Sequence, residues 1–446
     1  MKQNKPAKKR RHSSSFRLIS AGFFAIILLG ALLLMLPVSS QSRSFTPFAD
    51  TLFTAISATC VTGLIVRDTA THWSLFGQIV ILTLIQIGGM GVITIGLALM
   101  RLSGKKIKLS MRSMMQDSIS APQVGGILHL TGFILKTSAA IELTGAVLLS
   151  PVFIRDFGVA RGLWYSLFHS VSAFCNAGFD LMGIREPFSS LTSYGSNVWV
   201  NTVIMLLIIT GGIGFLTWDD VKQHRHHLKK YRLQSKIVLL TSALLIFVPA
   251  LFFFFSEYAG EPLCERILHS LFQSVTARTA GFNNADLAQM HESGSMVMIV
   301  LMLIGGCSGS TAGGMKTSTL AVLFLAAMSV YRRKNDVVCF QRRIPEDAVR
   351  SAGSILFMYT ALFLSTGIAI SMIESLPLVT CLFETGSALG TAGLTLGITS
   401  GLTHISRIIL MILMFMGRVG GLTLIYAALP SGIENAKMPL EKVTVG

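Results

Sequence analysis

The sequence predicts an all-α polytopic membrane protein: eight transmembrane helices as four span–pore loop–span repeats around one central pore, with pseudo-fourfold symmetry. Three observations predict it. Apolar runs are long enough to cross a bilayer, charge alternates from one connection to the next, and a short glycine-bearing phrase recurs four times between the runs.

A bilayer core ~30 Å thick needs roughly 20 consecutive apolar residues per spanning helix. Seven runs meet that length, at about 18–37, 75–100, 127–153, 198–217, 237–256, 351–373 and 405–429. An eighth, at about 294–329, is apolar at both ends and broken in the middle. Hydrophobic residues make up 52% of the 446 and charged ones only 13%, which excludes an ordinary soluble protein. The first run follows a basic leader, KPAKKRRHSSSFR, as a signal peptide would. Cleavable signals carry ~7–15 apolar residues and a small-residue exit. Here apolarity continues from Leu18 to Val38, so a retained helix is expected.

The net charge of +16 is distributed by side. Basic clusters precede the first span and follow the second, fourth and sixth, as at Lys8–Arg11, Lys105–Lys108, Lys229–Arg232 and Arg332–Lys334. The intervening connections contain no lysine and most of the acids, including Glu257, Asp286, Glu374 and Glu384. This alternation follows the positive-inside rule and places both termini in the cytoplasm of a multi-pass plasma-membrane protein. The basicity is a topology signal, with membrane lipid and not nucleic acid as the partner. The expected division is a basic cytoplasmic tail at 1–17, then repeats at 18–103, 127–218, 237–330 and 351–430. Cytoplasmic loops occupy 104–126, 219–236 and 331–350, and a cytoplasmic tail 431–446. Six scattered cysteines without a C-x-x-C pair indicate neither a disulfide framework nor a thiolate metal site.

The outside connections are too long for tight turns. They read TLFTAISATCVTGL (51–64), SLFHSVSAFCNAGF (166–179), SLFQSVTARTAGF (270–282) and CLFETGSALGTAGL (381–394). Each opens on Leu-Phe, continues with small residues and closes on glycine plus an apolar residue. Phe53 to Gly63, Phe168 to Gly178 and Phe383 to Gly393 are each ten apart, and Phe272 to Gly281 is nine. Four such matches, each centred between two spans, make an internal repeat.

Irregular backbone within a bilayer is tolerated only where protein buries it or water reaches it. Four copies round an axis would surround one hole with carbonyl oxygens, the construction of a cation filter. The oxygens belong to Cys60, Val61, Thr62 and Gly63, Cys175, Asn176, Ala177 and Gly178, Thr279, Ala280 and Gly281, and Gly390, Thr391, Ala392 and Gly393. Glycine adopts positive φ cheaply and lets a carbonyl turn inward. Pore helices at roughly 48–58, 163–174, 266–277 and 379–388 would aim their partly negative C-terminal ends at the cavity. Neutral carbonyls without a carboxylate ring favour a monovalent ion, because calcium sites want several acidic oxygens.

ATCVTGL, FCNAGF, RTAGFN and GTAGL, together with GGCSGSTAGGMK and MGRVGGLT, resemble the KtrB and TrkH family of potassium-translocating subunits over roughly 16–429. The length suits the KtrB branch. The family's filter glycines map onto Gly63, Gly178, Gly281 and Gly393. Plant relatives that pass sodium often carry serine in the first copy, so glycine in all four implies potassium preference. The resemblance also implies a homodimer on a separate cytoplasmic, nucleotide-binding ring of the KtrA/KtrC kind, with basic loops 104–117, 219–236 and 331–350 as docking candidates. No cofactor is expected in this chain. Potassium is the cargo, sodium is open as an activating or coupling ion, and nucleotide belongs to the partner.

The sixth span breaks at Gly305–Lys316, where ten of twelve residues are Gly, Ser, Ala, Thr or Cys. That composition suits either a kinked, closely packed helix or a flexible intramembrane loop under the filter. The resemblance favours a gate formed by Gly305, Gly306, Ser308, Gly309, Gly313, Gly314 and Lys316. A phosphate-binding loop is excluded, because Met315 stands where G-x-x-x-x-G requires lysine. Arg418 lies deep in the last span, where arginine is costly and faces the bundle interior or water. An arginine snorkelling to the cytoplasmic interface from a helix end is the alternative, but about ten largely apolar residues follow it; the resemblance implies that it stands below the filter beside the gating loop, as part of the gate. Glu142 reads as a hydrogen-bond partner buried between helices. Arg278 reads as a charge at the third filter's mouth or as helix-end packing.

Two rivals remain for a potassium uptake pore. A secondary Na⁺/K⁺ or H⁺/K⁺ symporter without a continuous channel would more usually show inverted or two-part repeats. An intramembrane enzyme would need converging acid, base, nucleophile or metal ligands, which Lys136, Glu142, Lys316 and Arg418 do not supply.

Overall fold

The computed structural model describes residues 12–92, 94–96, 127–420 and 441. The expected basic tail before residue 12, the loop at 104–126 and the tail at 431–446 lie outside or almost outside them. The described chain is mostly helical. One small hairpin, β1 (Val338–Cys339) with β2 (Arg342–Arg343), sits in the loop expected at 331–350.

Among the described residues, four helices are by themselves long and apolar enough to cross a membrane. They are α1 (His12–Met35), α5 (Ile127–Phe157), α9 (Leu233–Ser256) and α13 (Glu346–Glu374). Their outer faces carry Phe24, Val147, Phe247, Phe357 and Met372, all more than half exposed, as lipid-facing surfaces do.

A shorter helix follows each: α2 (Phe48–Cys60), α6 (Val159–Phe174), α10 (Leu263–Thr276) and α14 (Leu378–Gly390). Three of these begin directly after a proline, at Pro47, Pro262 and Pro377. Proline starts a helix readily because its fixed φ is compatible and its missing N–H has no partner to lose there. Each short helix packs on the long helix before it. The repeat's phenylalanines Phe53, Phe168, Phe272 and Phe383 are all fully buried, which accounts for their recurrence.

Next comes an apolar helix: α4 (Leu75–Met90), α7 (Val198–Gly212), α11 (Glu292–Ile304) and α15 (His404–Val419). A single-turn helix, α3 (Thr69–His72), precedes α4 and is capped by the Asp68 carboxylate. The short helices and these apolar helices interlock in a circuit. The second short helix, α6, touches α4, α10 touches α7, α14 touches α11, and α2 touches α15.

The apolar helices are shorter than their hydrophobic runs. They contain 16, 15, 13 and 16 residues, so at ~1.5 Å per residue each falls short of a ~30 Å core. All four end within two residues of a glycine with positive φ: Gly91, Gly214, Gly305 and Gly420. A helix end at such a glycine, expected only in the sixth span, is therefore common to all four copies. The run at 198–217 is interrupted at residues 213–214, and α8 (Phe215–His224) leaves at 95° to α7. That helix also occupies the start of the loop expected at 219–236. The sixth run resumes as α12 (Thr317–Tyr331).

In three copies another glycine lies three residues before the break and forms a notch. A Cβ on Gly88, Gly211 or Gly417 would lie 2.0, 1.8 or 2.2 Å from the carbonyl oxygen of Thr59, Phe174 or Leu389, each near the end of a short helix. The phrases GGMG, GGIG and GRVG carry this spacing. Gly211→Ala therefore overpacks the notch and should cost about 1–3 kcal/mol. The purified protein should melt several degrees lower by size-exclusion thermal challenge. Gly353→Ala in α13, with nothing within 4 Å, should leave it unchanged or raise it.

Candidate functional site

The four short helices end in one backbone device. The N–H groups of Thr62, Ala177 and Ala392 return to the carbonyls of Ser57, Ser172 and Ser387, five residues back, at 2.8 Å each. In the third copy Ala280 returns only four residues, to Thr276, at 2.9 Å. The missing residue of that copy is a helix closed one residue sooner. Two residues before each glycine the chain turns left-handed at Val61, Asn176, Thr279 and Thr391, with φ of 59°, 58°, 70° and 52°. An L-residue pays roughly 1–2 kcal/mol for that conformation. Four such costs at one place mark a site held by its surroundings.

Gly63, Gly178, Gly281 and Gly393 then follow with φ of 97°, 70°, 81° and 80°. A Cβ on Gly63 would lie 2.6 Å from the Ala177 oxygen, and one on Gly178 2.8 Å from that of Ala280. On Gly281 it would lie 2.7 Å from the Ala392 oxygen, and on Gly393 2.1 Å from that of Thr62. Each glycine thus abuts the carbonyl preceding the next glycine, and the series closes on itself. All four line one cavity of about 470 Å³, whose wall also carries Asp180, Glu186 and Asp286. Hydroxyls behind the ring brace it. Ser57 Oγ accepts the Gly63 N–H at 3.1 Å, while Ser172 and Thr276 donate to the Phe179 and Phe282 carbonyls at 2.6 and 2.7 Å.

Other residues singled out for the site sit away from that cavity. Cys60 and Cys175 are fully buried, and the Cys175 thiol approaches Gln86 Oε1 at 3.5 Å. Gly390 packs against the Met302 carbonyl, which a Cβ there would meet at 2.2 Å. Glu142 accepts from Gln86 Nε2 at 3.0 and 3.2 Å, the hydrogen-bonded burial its sequence context suggests. Arg278 is not at the mouth. It is buried, and its guanidinium donates to Ser242 Oγ on α9 at 3.1 Å, which is the helix-end packing its position also allowed.

The segment 305–316 runs as a loop between α11 and α12, stitched to the other helix breaks. Cys307 and Thr311 donate their N–H groups to Gly212 and Gly211 at 3.1 and 3.3 Å. Gly309 accepts from Phe215 at 2.8 Å, and Gly314 donates to Gly417 at 3.2 Å. Ser308 pairs with Ser318 at 2.8 Å. A Cβ on Gly313 would lie 2.1 Å from Thr391 Oγ1, and Gly306 would meet Ala312 Cβ at 2.3 Å. Gly305, with φ of 65°, makes the turn out of α11.

Thr311 had no signal of its own in the sequence. Its hydroxyl lies 3.1 Å from both the Phe174 carbonyl and Asn176 Oδ1, linking the loop to the second strained segment. Its carbonyl accepts from Arg418, which also donates to the Gly88 carbonyl and, at 3.0 Å, to that of Gly89. Lys316 Nζ donates to the carbonyls of Ala312 and Gly313 at 2.8 and 3.2 Å. Both cations are held by backbone oxygens; among the described residues neither pairs with a carboxylate.

Long apolar helices, each followed by a shorter helix and an irregular segment, define a multi-pass membrane protein. The chain belongs to the TrkH family, whose model, described as cation transport protein, matches residues 1–436. It is 41% identical over 449 residues to the potassium/sodium uptake protein NtpJ of Enterococcus hirae, with 98% of each chain covered. It is 38% identical over 438 residues to the Ktr system potassium uptake protein B of Bacillus subtilis, with 96% of each covered. The fold matches the crystal structure of the potassium transporter TrkH from Vibrio parahaemolyticus with a TM-score of 0.75 at 17% identity, over 96% of this chain and 87% of that one. The family is one of transporters, not enzymes.

Proposed function

We propose that the chain takes up potassium as the pore-forming subunit of a Ktr-type system. In this reading the four glycine segments form a selectivity filter on a pseudo-fourfold axis. The observation that carries it is the closed ring, in which each glycine abuts the carbonyl before the next at the floor of one cavity. The names of two near-full-length relatives as potassium uptake proteins support the cargo.

The mechanism follows from the ring's chemistry. A potassium ion entering the cavity sheds water in exchange for fixed carbonyl dipoles of Thr62, Ala177, Ala280, Ala392 and the glycines. The C-terminal ends of α2, α6, α10 and α14 meet the ring and add partly negative potential. Carboxylates occur in the cavity wall but not in the ring, which favours a singly charged ion. Beneath the ring, loop 305–316 and the Arg418 guanidinium form the gate. The arginine pins the loop through Thr311 and sets a positive charge on the ion's exit. Opening requires Arg418 to release Thr311.

Eight spans, cytoplasmic termini, a homodimer and a nucleotide-binding KtrA/KtrC-like ring complete the proposal. The Ktr system names of relatives support a multi-component assembly. The basic segments at 219–236 and 331–350 offer docking charge. No cofactor is assigned to the chain, and sodium enters as a candidate activating or coupling ion because one relative is named for both cations.

Uptake by potassium-transport-deficient cells, with and without a cytoplasmic partner, tests the reading. Gly63→Ser should lower the K⁺/Na⁺ uptake ratio by roughly tenfold, because a strained Cβ against the Ala177 carbonyl opens the ring. Unchanged selectivity would remove the filter, and flux at carrier-like turnover would favour symport. Arg418→Ala should raise partner-independent flux by roughly tenfold, the effect of deleting one charge near the path in a medium of intermediate dielectric. Unchanged flux in both conditions would remove the arginine from the gate.

A further inference from the structure

In every repeat phrase the buried phenylalanine is followed by a second inaccessible residue: Thr54, His169, Gln273 or Glu384, none more than 1% exposed. Three of them reach past the ring to the chain just beyond its glycine. His169 Nε2 accepts the N–H of Leu181, three residues after Gly178, at 3.3 Å, while its Nδ1 lies 2.7 Å from the Tyr165 carbonyl. Gln273 Nε2 donates to Asn284 Oδ1, three residues after Gly281, at 3.3 Å. Glu384 accepts from the hydroxyl of Thr395, two residues after Gly393, and from that of Thr399 at 2.9 Å.

The first copy moves the task back one turn. Thr54 bonds only to the Asp50 carbonyl of its own helix, at 2.9 Å. The Asp50 carboxylate instead takes Arg67 Nε, four residues after Gly63, at 2.8 Å. Every copy thus ties its outer chain to its own short helix, each with different chemistry.

The first and fourth ties are both made to carboxylates, and a hydrogen bond to a carboxylate is shorter and roughly twice as strong as one between neutral groups. The fourth differs from the first in place, since Arg67 is not among the residues lining the cavity. Both threonines it holds line the cavity above the ring, whereas neither Leu181 nor Asn284 does. In a snug-fit filter, a carbonyl ring discriminates between alkali ions by resisting closure round the smaller one, and the chain leaving each glycine is one of the anchors that can supply that resistance.

We propose that Asp50, His169, Gln273 and Glu384 are positioning residues that fix the outer rim of the ring, and that Glu384 is the member that governs discrimination between potassium and sodium. The proposal rests on the ring being the filter.

The test measures K⁺/Na⁺ uptake ratios in transport-deficient cells, normalised to protein in the membrane. Glu384→Ala should lower the ratio roughly tenfold and Thr399→Val roughly threefold, in line with the loss of charge-assisted and single hydrogen bonds. Glu384→Gln, keeping one acceptor oxygen, should fall between wild type and alanine. A merely structural role would lower uptake of both ions together and leave the ratio alone. A Glu384→Ala protein that reaches the membrane with the wild-type ratio overturns the proposal. Should that variant fail to assemble, Thr399→Val with the wild-type ratio overturns it equally. Gly393→Ser in the same assay separates the two readings. If it shifts the ratio and the Glu384 and Thr399 variants do not, the positioning role alone falls; if Gly393→Ser also leaves it unchanged, the filter reading falls too.

Discussion

A peptide group inside a bilayer must find its partner within the protein, and the architecture follows from that constraint. The glycine segments leave carbonyls free to face the cavity, and much of the backbone leading into them is hydrogen-bonded within the protein. The short helices return their last N–H groups to carbonyls four or five residues back, and hydroxyls of Ser57, Ser172 and Thr276 take up neighbouring groups. The irregular backbone itself is buried within the protein, with Val61, Thr62, Asn176, Ala177, Thr279, Ala280, Thr391 and Ala392 all inaccessible.

Glycine supplies a second requirement, close approach. The ends of the short helices press into the apolar helices at Gly88, Gly211 and Gly417, where a methyl group would collide with a carbonyl oxygen. These contacts bring the four segments near enough for each ring glycine to touch the next. The third copy lacks the notch, with Met302 at the corresponding place, and there the interrupted chain becomes the loop 305–316. Departure from the repeat and the candidate gate coincide.

Charge is arranged by the same economy. Arg418 and Lys316 are satisfied by carbonyl oxygens of the helix breaks and the loop, so their positive charge is left uncancelled by any described carboxylate. A neutralised pair would hold the loop without presenting a field to a passing cation. The carboxylates of Asp180, Glu186 and Asp286 lie instead in the wall of the glycine-lined cavity.

Apolar length, the alternation of basic and acidic connections and the fourfold phrase were legible along the chain, because each is a local property of composition and spacing. They located the short helices to within a few residues and delimited the loop at 305–316 between α11 and α12. Gly-x-x-Gly at 88–91, 211–214 and 417–420 was also written in the chain, though its meaning depends on what packs opposite. Only the tertiary structure decided that all four apolar helices end close to a glycine of positive φ, that Arg278 bonds to Ser242 and not at the cavity, and that Thr311 joins Arg418 to the second segment. The physical reason is range: helix length and sidedness are set by neighbours in sequence, whereas a carbonyl's partner, a glycine's opposing atom and an arginine's direction are set by residues tens to hundreds of positions away.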